Sequence, residues 1–350
     1  MAKDASQDDG GIRGFTANIL RVAAFGALAV LVWRLADVLL MAFGAVLSAV
    51  LLHALADPLV RHARMPRPWA LLTAVISLTV LSAATIWLFG RETAVQLAAL
   101  SELIPNAWRA LQAGLQNSPL GAYVLDDLKR LQHAGGLVVQ LGPRLIQSSA
   151  SAGAATVIVL FAGLYLAFHP GTYLGGLLKL VPIRGRERAR EVLSACGTAL
   201  NRWLIGQLVS MVLVGVTTGV GLWVAGVPSP LALGVFAGLG QFVPVVGPMV
   251  SMIPGLVVAA GVGWETLAWA TVVYVAAMQF EANVITPLVL RQMVELPMAV
   301  TLFAVLAMGV LLGPLGVLFA TPLAVVAYVV VRMIYVEDVL GDRPALDDAP

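Results

Sequence analysis

The stretch "LGQFVPVVGPMVSMIPG", Leu239 to Gly255, holds three prolines (Pro244, Pro248, Pro254) and three glycines (Gly240, Gly247, Gly255), and no charged residue. Each proline removes a backbone donor and clashes with the preceding turn, so the run cannot form one straight helix. Loops this rich in Gly and Pro are usually polar in water-soluble proteins, because their free backbone groups face solvent. In hydrocarbon, non-helical backbone survives only where protein or a water-filled cavity surrounds it. The block 230–262 therefore reads as two half-helices, about 230–243 and 249–261, joined by a tight tip at "VPVVGP".

A second block, 298–335, repeats the habit, with Gly313-Pro314 followed by Pro322, as Gly247-Pro248 is followed by Pro254. Ordinary helix pairs that cross fully, with tolerated proline kinks, are the competing reading of both blocks. The membrane setting itself comes from composition. Hydrophobic residues make up 60% of the 350 and charged residues 11%, with a mean hydropathy of +0.92. Ordinary domains run near half apolar and a quarter charged, so this chain lacks the polar surface to enclose its apolar residues in water.

Apolar runs long enough to cross a bilayer occur at roughly 15–33, 38–56, 69–89, 152–169, 204–226 and 266–290. The expected fold is an all-α polytopic membrane protein with six full transmembrane helices and two Gly/Pro-broken re-entrant hairpins of opposite orientation. Basic residues set the orientation. Arg61, Arg64 and Arg67 fill one turn, and Lys179, Arg184, Arg186, Arg188, Arg190 and Arg202 dominate 170–203. Both places are expected on the cytoplasmic side, which puts both termini there.

The chain then divides into a cytoplasmic tail (1–14), three spans (15–90), an extracytoplasmic amphipathic helical segment (91–149), a fourth span with a basic interfacial helix at 186–203 (150–203), a core with both hairpins (204–335), and a second cytoplasmic tail (336–350). Segment 91–149 packs against the membrane body or a neighbouring subunit, or serves as a partner-binding or gating module. The single cysteine, Cys196, excludes an internal disulfide and has no metal-ligand spacing around it. No metal or cofactor is expected, and a net charge of +2 gives no reason to expect a nucleic-acid partner.

Between the two blocks runs "YVAAMQFEANVITPLVLRQ", 274–292. Glu281 lies ten residues before Arg291, about 15 Å along a helix, which places it near mid-bilayer. Gln279, Asn283 and Thr286 flank it, and Pro287 follows. An ionisable group at that depth is costly unless paired, hydrated or protonated. Three outcomes are open: a pair with Arg202 or Arg34, protonation through burial, or a wet cavity that binds cations or substrate. Pro287 would free the carbonyl of Asn283 for a ligand or a water.

Three motifs, Gln241 to Pro248, Glu281 to Pro287 and Gly313 to Pro322, together resemble the signature regions of the autoinducer-2 exporter family of bacterial permeases. Gln241 stands where that family commonly has Asn, and Ala282 where it commonly has Gly. The resemblance implies transport of small solutes across the bacterial inner membrane, by members assigned to signal-molecule export or to cation/proton antiport. It also implies a homo-oligomer, a pentamer among the states it allows. The expected partners are thus a small-molecule or ion substrate, the lipid bilayer and further copies of the chain. Candidate binding residues are Glu281, Gln279, Asn283, Thr286 and Gln241; candidate tips and hinges are Pro244, Gly247, Pro248, Pro254, Pro287, Gly313, Pro314 and Pro322. An intramembrane enzyme is disfavoured, since no His-Glu-x-x-His, Gly-x-Ser-x-Gly or paired-Asp signature is present, and an ATP-driven pump is excluded for this chain alone by the lack of a Gly-Lys-Ser/Thr loop. An uncoupled channel and a non-transporting scaffold are the rival readings.

Overall fold

The computed structural model describes residues 33–80, 156–244, 246–285 and 297–342, with isolated positions between 26 and 31 and at 83, 84 and 87. Most of the first expected span, the segment 91–149, Thr286, Pro287 and the last eight residues lie outside the described residues. Among the described residues every regular element is helical. Helix α1 is Ala36–His62, and α2 is Arg67–Val80. The turn between them closes through Arg64 in the left-handed region (φ 52), with the Met65 and Ala63 amides both donating to the Leu59 carbonyl. Pro66 then stops any continuation.

Helix α3, Thr156–Phe168, meets α4, Pro170–Lys179, at a 90° bend. Pro170 occupies the first helical position of α4, where its missing N–H costs nothing and its fixed φ suits the helix. Ala167, in the last turn of α3, shares a core with Ala56, Ala70 and Leu71. The arginine turn 61–67 and the basic stretch after α4 therefore lie at one end of the bundle.

Helix α5, Arg186–Val224, runs 39 residues without a break, about 58 Å. The stretch 186–203, expected as an interfacial helix, is continuous with the span that follows it. No proline interrupts that stretch, and Val192, Cys196, Ala199, Leu200 and Trp203 are buried at the three-to-four-residue spacing of one helix face. That face is committed to protein rather than to lipid headgroups. The short element set across the bundle is α4.

The first broken block forms α6, Pro230–Gly240, and α7, Val246–Val262. Gly234 and Gly238 of α6 face Gly215 and Gly219 of α5, so closely that a Cβ on Gly234 would lie 2.7 Å from the Gly219 Cα. This small-on-small contact lets two backbones approach where apolar side chains would find lipid as good a neighbour as each other. The tip pairs its own backbone: Phe242, Val243 and Gly247 amides donate to the Leu239, Gly240 and Val243 carbonyls. A Cβ at Gly247 would overlap the Gly240 carbonyl, so the elbow depends on glycine there.

Helix α8, Trp264–Phe280, continues as a π-helical turn, Glu281–Ile285. Helix α9, Met298–Val330, is broken at Gly313 (φ 64, ψ −150) and followed by a π-helical stretch, Val331–Val339. A Cβ on Gly316 would overlap the Met308 carbonyl, and one on Gly309 would sit 2.9 Å from Val317. Residues eight apart in a straight helix are about 12 Å apart, so α9 folds back on itself at Gly313. Its arms, 298–312 and 314–330, pack along each other.

Four described stretches are long and apolar enough to cross a membrane: Ala36–His62, Ile183–Val224, Trp264–Ile285 and Ala299–Val339; the bent α3–α4 pair makes a fifth if counted as one. The last of the four folds back at Gly313, which leaves its first arm at about 22 Å, short of a hydrocarbon core of about 30 Å, while the returning arm runs on through the π-helical stretch to Val339. Val310 is 86% exposed, Leu180 82% and Trp264 77%, an apolar exterior that suits lipid and not water. The chain is a multi-pass membrane protein.

Candidate functional site

The elbow between α6 and α7 is anchored to α5 twice. Gln207, buried in α5, donates from Nε2 to the Gln241 carbonyl. The Phe242 ring meets Trp203 edge-on, with centroids 5.8 Å apart. These contacts turn the Gln241 side chain toward α8, where its Nε2 donates to Glu281 Oε1 at 3.1 Å. Glu281 opens the π-helical turn, a widening of the helix that recurs at functional sites.

Around that contact lies a cavity bordered by Thr218, Gln241, Pro248, Ser251, Tyr274 and Glu281. Its volume of ≈ 20 Å³ has room for about one water. The Ser251 hydroxyl donates to the Pro248 carbonyl at 2.9 Å. Gln241 Oε1 and the Tyr274 hydroxyl are buried with no hydrogen-bond partner among the described residues. Such orphans are uncommon in native interiors and call for an occupant or a function. Gly255 makes the Tyr274 position possible, since a Cβ there would overlap the phenol ring.

The two broken blocks meet in an apolar core beside the cavity, whose lining includes no residue of α9. Phe242 from the first elbow and Phe319 and Val326 from the returning arm of α9 pack against one core of Leu47, Val192, Cys196, Leu200, Trp203 and Val325. At the far end of the same arm, the Arg188 guanidinium donates to the Met333 carbonyl at 3.0 Å and to Glu337 at 2.9 Å. The arm thus runs antiparallel to α5, and that register carries Gly313 to about the height of Gln207.

Glu281 lies 17 residues beyond Trp264, about 25 Å along α8. Gln207, level with the elbow, is five residues from the exposed Arg202, about 7.5 Å. Along α5, Arg186–Val224, Gln207 stands near the middle of the helix. Arg202 and Arg34 are both exposed.

The structure brings Glu281, Gln241 and Pro248 together on the cavity and sets Pro244 and Gly247 in the adjoining tip. Pro254 lies inside α7, one residue from Gly255. Pro314 starts the returning arm of α9, and Pro322 is fully buried within it. Gln279 and Asn283 are exposed on another face of α8, where Asn283 Nδ2 donates to the Gln279 carbonyl at 2.8 Å. Thr286 and Pro287 lie outside the described residues. Tyr274, Ser251, Thr218 and Gln207 were not anticipated. Tyr274 precedes Glu281 by seven residues, two turns on one face. Gln207, Ser210 and Thr218 are buried polar positions of an uncharged stretch, at intervals that keep them near one side of α5. Among the described residues no group of three or more His, Cys, Asp or Glu could hold a metal ion.

The chain is 31% identical over 144 residues to "Putative transport protein YrrI" of Bacillus subtilis (strain 168), covering 41% of this chain and 40% of that one. It is 34% identical over 176 residues to "Putative transport protein MT0215" of Mycobacterium tuberculosis (strain CDC 1551 / Oshkosh), covering 48% and 46%. The chain thus spans less than half the length of these two relatives. Against "Putative transport protein YueF" of Bacillus subtilis (strain 168) the identity is 23% over 310 residues, 84% of this chain and 83% of that one. The family model described as "AI-2E family transporter" matches residues 20–335. With almost its whole length matched, the chain belongs to the AI-2E transporter family.

Proposed function

We propose that this protein is a secondary transporter that moves a small solute across the bacterial inner membrane, coupled to protons or another cation through Glu281. The observation that carries the reading is the Gln241–Glu281 hydrogen bond, which joins a Gly/Pro elbow to a carboxylate-bearing helix beside a cavity with unmet polar atoms. In this reading both broken blocks are re-entrant. The first enters from the outer face, the second from the cytoplasmic face, in the manner that builds substrate sites from discontinuous helices. The arginine-rich end faces the cytoplasm, and so do both termini. Further copies of the chain cover part of the apolar exterior in a homo-oligomer.

Mechanistically, the cavity as it stands admits one water-sized particle, so this is a closed form. A solute enters when an elbow moves away from α5 and α8. Glu281 is the group whose charge changes with that movement: ionised, it accepts from Gln241; protonated, it no longer attracts the amide as strongly, and the elbow is released. The same geometry serves export of a signal molecule or cation/proton antiport, and an uncoupled channel would need no change at Glu281.

The test is proton flux into proteoliposomes carrying a trapped pH-sensitive dye, under an imposed membrane potential. Glu281→Gln abolishes the flux while leaving membrane assembly and oligomeric state unchanged. Flux retained by a well-assembled Glu281→Gln protein contradicts the coupling role. Flux that ignores Glu281 and simply follows the permeant's own gradient marks a channel; absence of flux in the native chain marks a scaffold.

A further inference from the structure

The orphaned atoms of the cavity specify the chemistry of what enters it. Gln241 commits its Nε2 to Glu281, and the reverse amide orientation would set Oε1 against a carboxylate oxygen. The atom left facing the cavity is therefore Oε1, which accepts hydrogen bonds and cannot donate. Gln241 is 3% exposed and Tyr274 3%, so bulk water does not satisfy either group. The Tyr274 hydroxyl can donate or accept. Ser251 Oγ spends its proton on the Pro248 carbonyl, which leaves it an acceptor too. A site lined in this way by acceptors wants a particle that brings hydrogen atoms.

Size and partner number narrow the choice. A volume of ≈ 20 Å³ fits one water-sized particle. A dehydrated hard cation takes about six or more converging oxygens, and with the Pro248 carbonyl held by Ser251 and one Glu281 oxygen held by Gln241 the lining has fewer than that to give. A hydrogen-bond donor needs two to four partners, which Gln241, Tyr274 and Ser251 provide. An anion finds acceptors where it needs donors.

We propose that Tyr274 and the Gln241 amide form a donor-reading pair, through which the cavity takes a water-sized group that donates hydrogen bonds, such as the ammonium head of an amine, and refuses anions and alkali ions. Tyr274 is then a binding residue, and Gly255 sets its place by making room for the ring. The inference rests on the reading of the cavity as the transport site, but its test is separate from the flux experiment.

The experiment uses the full chain in detergent micelles, unfolded by heat and followed by tryptophan fluorescence, in ammonium, sodium or tetramethylammonium chloride at equal concentration. A ligand that binds the folded state raises Tm by mass action. Ammonium raises the native Tm by a few degrees above the other two salts. Tyr274→Phe keeps the ring, deletes the orphaned hydroxyl, begins at an equal or higher Tm, and loses the ammonium shift. An equal shift with sodium, no shift with any salt, or a full ammonium shift in Tyr274→Phe overturns the proposal. If the shift depends on Tyr274 while Glu281→Gln still carries flux, the donor-reading pair stands and the transport reading falls.

Discussion

The two Gly/Pro elbows carry nearly the same punctuation and do different things with it. In the first, Gly247-Pro248 closes a short tip on a glycine-to-carbonyl contact, and Gln241 at its edge reaches both α5 and α8. In the second, Gly313-Pro314 reverses the chain at one left-handed residue, and no polar side chain lies between Phe303 and Ala320. Its contacts are apolar, as where Phe319 meets Phe43 edge-on at 6.0 Å, and its exit is fastened by ions, with Arg188 held by Glu191, Glu337 and Asp338. A Gly-Pro pair makes a chain turn. What flanks the pair decides whether the turn reads a ligand or serves as a packed arm.

Breaking the two elbows separates these roles. Gly247→Val has the largest effect, because its side chain must occupy the space of the Gly240 carbonyl; overpacking of this kind costs about 3 kcal/mol. Lowered Tm together with loss of flux is expected, measured on protein purified in parallel with the native chain. Gly313→Ala is milder. Its Cβ meets nothing within 4 Å, so the loss is the cost of holding a non-glycine residue at φ 64, ψ −150, a region that essentially only glycine adopts, about 1–3 kcal/mol, read as a Tm drop of several degrees. A larger drop would show that the second elbow is as tightly packed as the first.

Arg188→Gln has the smallest effect, since the ion cluster is partly exposed and exposed pairs contribute little. Salt sharpens that comparison. Raising ionic strength from 0.05 to about 1 M shortens the screening length several-fold and should erase the difference between Arg188→Gln and the native chain. The Gly247→Val defect, being steric, should persist.

Much of this arrangement is legible in the amino acids. Proline cannot propagate a helix and an uncharged segment cannot live in water, so both elbows follow from local rules and appear near the expected residues. Gln241 and Glu281 stand out as polar groups in apolar surroundings. The polar neighbours of Glu281 separate in space. Gln279 and Asn283 are adjacent to Glu281 in the chain, but a helix turns them onto another face. Tyr274, two turns away, shares the face and borders the cavity. Its importance comes from an unpartnered hydroxyl, which depends on Gly255 in another helix and cannot be read from α8. The charged first half of α5 resembles an interfacial helix in the sequence, and its continuity with the span shows only when its buried face is seen packed on α9.

The central claim is that each broken block returns to the face it came from, and cysteine labelling from the two sides of the membrane tests it. The native cysteine is single and buried, so Cys196→Ala provides the background for Pro228→Cys, Trp264→Cys, Pro297→Cys and Leu340→Cys, all at exposed positions. With an impermeant maleimide, the account predicts that positions 228 and 264 label from one face and positions 297 and 340 from the other. Labelling of 228 and 264 from opposite faces, or of 297 and 340 from opposite faces, would mean that a block threads through the bilayer and would contradict it.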